Sequence, residues 1–159
     1  MNNQNPTFFV EKSENIYENT PALEAVRRRI ESLKKEAKFM VDDHWQYYLE
    51  ESRLRTDFDE KSRLFPQLRK TKNGFAIEWH YILQWYKNPQ GQWKKITHYI
   101  ARGHSLRVEL NQYAKEWELQ RLDAFENRAE IIRDEVKFLS EFIEGYGRLS
   151  RLQAARKAA

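Results

Sequence analysis

Cysteine is absent from this chain of 159 residues. That absence excludes disulfides, thiolate metal sites and cysteine nucleophiles together, and it suits the cytoplasm. Long apolar runs are missing as well: nothing approaches the roughly 18 consecutive apolar residues that a membrane-spanning helix needs. The opening MNNQNPTFFVEKSENIYENT has neither a basic n-region nor an apolar h-region, so it does not read as a signal peptide. Catalytic signatures are lacking too, with no G-x-x-x-x-G-K, G-x-S-x-G or H-E-x-x-H. Asp42 and Asp43 are helix neighbours that point apart, unlike the convergent acids of a two-metal nuclease. Tyr47-Tyr48 resembles the tyrosine pairs of some strand-transferring enzymes, but no histidine triad accompanies it. The expectation is a protein without catalytic residues, metal or cofactor.

Acidic residues are scarce in one region only. The whole chain carries a net charge of +4, but residues 61–107 hold Lys61, Arg63, Arg69, Lys70, Lys72, Lys87, Lys94, Lys95, Arg102 and Arg107 against Glu78 alone. The remainder is net acidic. Such asymmetry points to a polyanionic partner; the plainer alternative is pairing with acidic helices of the same chain.

What is present suggests one α+β domain. Residues are 40% hydrophobic, 14% aromatic and 33% charged, a composition that supports a core beneath a well-solvated surface. Residues 1–19 read as a tail, with Phe8, Phe9 and Val10 available to pack as an added strand. A domain over 20–147 then comprises a helix at 20–54, a connector at 55–74, a hairpin at 75–103 and a helical region at 105–147. A basic tail fills 148–159. Thr20-Pro21 is a capping hydroxyl followed by proline at the first helical position. Leu23, Val26, Ile30, Leu33, Ala37, Met40, His44 and Tyr47 form a heptad seam, and Leu122, Phe125, Ala129, Ile132, Val136, Leu139, Ile143 and Tyr146 form another. The two long helices are expected to pair antiparallel in coiled-coil fashion, with the hairpin packed against them. Gly145 and Gly147 mark the expected end of the second.

The hairpin, FAIEWHYILQWYKNPQGQWKKITHYIARG, turns at Asn88-Pro89-Gln90-Gly91. A four-residue loop pairs Lys87 with Gln92 and fixes every further pair. One face then carries Ile77, Trp79, Tyr81, Leu83 and Trp85 and is assigned to the core. The other carries His80, Ile82, Tyr86, Trp93, Lys95, Thr97 and Tyr99 and is assigned to solvent. His80 and His98 fall on opposite faces, so they cannot share a metal. Rings interleaved with cations suit nucleic acid: cations neutralise phosphates and flat rings stack on bases, while a two-stranded ribbon also fits a major groove. The candidate site is Tyr86, Trp93, Lys94, Lys95, Tyr99, Arg102, Arg107, His80, Lys87, Arg69, Lys70 and Lys72.

The tryptophan- and tyrosine-rich strand, the following KKITHYIARG, then KEWE and EIIRDEV resemble the MobI-like accessory proteins of conjugative plasmids and integrative elements over about residues 75–140. The resemblance implies a role at the origin of transfer beside a DNA-nicking relaxase, and it carries no catalytic motif to this chain. The expected partners are therefore DNA of the origin-of-transfer region and a relaxase, with no membrane. A monomer is the expected state and a homodimer the alternative. The rival readings are a helical adaptor that binds protein through its heptad seams, and a small nuclease or phage or mobile-element inhibitor.

Overall fold

Thr20 caps the first helix, its hydroxyl accepting the Leu23 N–H at 3.5 Å, and Pro21 occupies the first helical position. The computed structural model describes residues 20–103 and 105–158. Helix α1 spans Pro21–Leu54, strands β1, β2 and β3 span Leu64–Lys70, Phe75–Lys87 and Trp93–Ile100, and helices α2 and α3 span Leu106–Tyr113 and Leu119–Ala158. The fold is α+β, with a three-stranded antiparallel sheet in the order β1-β2-β3. No helix among the described residues is long and apolar enough to cross a membrane. Phe8, Phe9 and Val10 lie outside the described residues.

Both heptad seams face inward. Every one of their residues is buried or half-buried, and Ile30, Leu33, Ala37, Leu122, Ala129 and Ile132 join Ile77, Trp79 and Ile100 in one core. Ion pairs tie α1 to α3 on the flank of this seam: Arg29 to Glu135, Glu36 to Arg128 and Asp43 to Arg121, each at 2.5 Å. Each step of seven residues up α1 is a step of seven down α3, so the helices run in opposite directions along their contact. The turn between β1 and β2 wedges against both. A Cβ at Gly74 would meet Val136 Cγ1 at 3.2 Å and Ser140 Oγ at 3.4 Å, so glycine permits this approach.

Three elements depart from the expected layout. The stretch expected to be a connector contains β1, whose Pro66 sits opposite Trp79. Proline is tolerated there because β1 is an edge strand and needs no donor on its outer side. Helix α3 runs straight through Gly145 and Gly147 to Ala158, so the basic segment 148–158 is helical. Neither glycine adopts the left-handed conformation that ends a helix, and leucine, alanine, glutamine and arginine beyond them favour helix enough to offset about 1 kcal/mol per glycine.

The hairpin register is the third departure. Asn88 closes a loop of residues 88–92, its backbone N–H donating to Gln92 O at 2.9 Å and its side-chain oxygen accepting from Gln92 N at 2.8 Å. Lys87 therefore pairs with Trp93, not Gln92, and Gly91 turns the loop at φ 74°. A β-bulge at Leu83 then restores the ladder, so Trp79↔Ile100, His80↔Tyr99, Tyr81↔His98 and Ile82↔Thr97 fall as expected. Between bulge and loop the faces are exchanged. Trp85 lies opposite Lys95 and Tyr86 opposite Lys94, and Leu83 and Trp85 are exposed rather than core.

Candidate functional site

The distal halves of β2 and β3 form an arm. Every residue from Leu83 to Lys87 and from Trp93 to Ile96 is exposed. The arm extends about 20 Å beyond Ile82 at roughly 3.4 Å per residue. Leu83, Trp85, Tyr86, Trp93, Ile96 and Tyr99 each keep 41–64% of their surface accessible. No acid occurs between Trp79 and Gly103. Lys87 lies over the Trp93 ring, its Nζ 5.1 Å from the ring centroid, and Lys94 is exposed. Neither lysine has an ion pair among the described residues. Exposed rings and cations stand on both faces of this ribbon.

The base of the sheet consumes several of the candidate residues. Lys95 places its ammonium 3.6 Å from the Phe65 ring centroid and 5.6 Å from that of Trp45, and burial pulls its pKa below the ordinary lysine value. His80 stacks on Phe65 and meets Gln67 Nε2 at 2.6 Å; burial lowers its pKa, with Lys95 and His98 adding to the effect against the opposing pull of Glu78. Arg69 donates to Glu78 at 2.6 Å. Arg107 is held by α3, 2.8 Å from Asn127 and 3.3 Å from Glu130, with Asp123 at 3.6 Å.

The remaining candidates divide between two places. Arg69, Tyr99 and Arg102 line an open groove of about 410 Å³ with Arg133 and Lys137 of α3. The groove exists because β3 ends opposite Trp79 and leaves the edge of β2 free over Phe75–Glu78. There Arg133 donates to the unpaired Ile77 carbonyl at 3.3 Å and holds Glu126 through two 2.8 Å bonds. Lys70 and Lys72 lie at the β1–β2 turn, about 40 Å from the arm's tip along β2 at roughly 3.3 Å per residue. One compact site does not contain them all.

Trp85 on the arm and Arg133 and Lys137 in the groove were not among the residues expected from the sequence. Trp85 was hidden by the bulge, which has no sequence signal here, while the two α3 residues are recruited by tertiary packing. Among the described residues no cluster of histidine and carboxylate side chains is arranged to hold a metal. Against the models of known families, residues 33–145 match that of the MobI protein. The chain belongs to the MobI family. MobI is an accessory family of conjugative mobilisation and not a known enzyme family, and its model spans α1 from Leu33, the whole sheet and α3 to Gly145. No curated protein and no solved structure matches the chain.

Proposed function

We propose that this MobI-family protein is a non-enzymatic DNA-binding accessory factor that acts at the origin of transfer beside the relaxase, gripping duplex DNA with its hairpin arm. The carrying observation is a two-stranded ribbon that is exposed on both faces and bears aromatics and lysines but no acid. A major groove about 12 Å wide admits such a ribbon, whereas a flat stacking platform for single strands needs only one face. Lys87, Lys94 and Arg102 would meet phosphates, and Tyr86, Trp85 and Trp93 would contact bases or sugars. The antiparallel α1–α3 pair, with its heptad-spaced ion pairs, would serve as a coiled-coil-like base for the arm. The two seams are buried or half-buried against the rest of the chain, which counts against an adaptor that binds through them.

The test is fluorescence anisotropy with labelled duplex and single-stranded oligonucleotides across a salt series. Tighter binding to duplex, weakened by salt, is the expected outcome. No binding to either at low salt would overturn the reading.

A further inference from the structure

Helix α3 carries a second apolar stripe that the core does not use. Phe138, Phe142, Leu149 and Leu152 are 67%, 41%, 51% and 61% exposed, and with Gly145 between them they recur at spacings of four and three. That is a heptad seam facing solvent. The ion pairs between α1 and α3 place Pro21 level with Ile143, so the last four turns of α3 run past the described end of α1. A Cβ on Gly145 or Gly147 would meet no other atom within 4 Å, which leaves room for a close helix neighbour.

Charge along the stripe says what that neighbour is. Glu141 borders its first half and Arg148 its second, whereas Glu144 accepts from Asn73 of the β1–β2 turn and Arg151 lines the pocket beside it; no acid follows Glu144. A parallel copy would set like charges together. An antiparallel copy sets each acidic half against a basic one, and brings Phe138 beside Leu149, Phe142 beside Gly145 and Glu141 beside Arg148. We infer that the protein forms an antiparallel homodimer through the C-terminal half of α3. The contact is isologous and closes at two copies. It leaves the α1–α3 pairing within each chain intact and stands independently of DNA binding. It also fixes two hairpin arms in one particle.

Sedimentation equilibrium of the full chain, without DNA, tests the inference. Twice the chain mass is expected at tens of micromolar. Phe142→Glu with Leu149→Glu should sediment as a monomer with unchanged helical circular dichroism. Glu141→Arg and Arg148→Glu, made as two separate variants, should each be monomeric alone and dimerise when mixed in equal amounts. A wild-type protein that stays monomeric up to several hundred micromolar would overturn the inference. So would undiminished dimerisation of the phenylalanine–leucine variant, or a charge-variant mixture that remains monomeric.

Discussion

The three hairpin tryptophans, Trp79, Trp85 and Trp93, occupy different physical environments despite lying in one motif. Trp79 is 1% exposed, meets His44 and Phe125 edge-on, and donates its indole N–H to Glu126 at 2.6 Å. Trp79→Ala should cost about 3–5 kcal/mol, measured by denaturant unfolding. Trp85→Ala and Trp93→Ala should leave the melting temperature within about 2 °C of wild type, yet weaken duplex binding in the anisotropy assay. Loss of stability on Trp85→Ala would return that ring to the core. His44 supplies an independent residue-scale prediction. Burial, assisted by Arg121 and opposed by Asp43, lowers its pKa from 6.5 to about 4. The unfolded chain therefore binds an extra proton between those values, and stability should fall as pH drops from about 6.5 to 4, by on the order of 3 kcal/mol in all. Thermal melts at stepped pH should show this loss, and His44→Phe should flatten it.

At the scale of elements, the seams of α1 and α3 were legible because burial forces a period that sequence displays directly. The pairing at the base of the hairpin was legible too, since alternation fixes register wherever one face is buried. Its second face was not: Ile82, expected in solvent, is 3% exposed and Glu78 is buried, because Phe65 and the α1 side of the molecule cover that face as well. Beyond Ile82 no core enforces the pairing, so the five-residue loop and the Leu83 bulge shift the register without burying a wrong residue. This explains why Trp85 was assigned to the core and why Tyr86 shares a face with Lys94. β1 escaped notice because proline argues against a strand until its edge position is known. The wedge of the β1–β2 turn gives an element-scale test. Gly74→Val would drive a branched side chain into Val136 and Ser140, and should cost about 1–3 kcal/mol in a denaturant titration. A silent substitution would mean that the sheet does not seat there.

Across the whole molecule, the central excess of positive charge was plain in the sequence, but its availability was not. Arg69, Arg107, Lys95 and Arg63 answer to Glu78, to the acids of α3, to the Phe65 ring and to Asp59, respectively. These are long-range contacts that composition cannot reveal. Lys87 and Lys94 remain on the arm, and Arg102 stands past the end of β3 in the groove at the base of the sheet. If those three neutralise duplex phosphates, log K against log salt should slope at about −3. A slope near −8 would instead require most of the central cations to reach the DNA.

The most direct measurement removes the arm. Replacing residues 84–95 with Asn-Gly joins the shortened strands and keeps the buried residues of the sheet, losing at its base only the Lys95 contact with the Phe65 and Trp45 rings. The account predicts an unchanged helical circular dichroism spectrum, a melting temperature within a few degrees of wild type, and duplex affinity reduced at least 100-fold in fluorescence anisotropy at low salt. A folded, armless protein that binds duplex as tightly as wild type would contradict it.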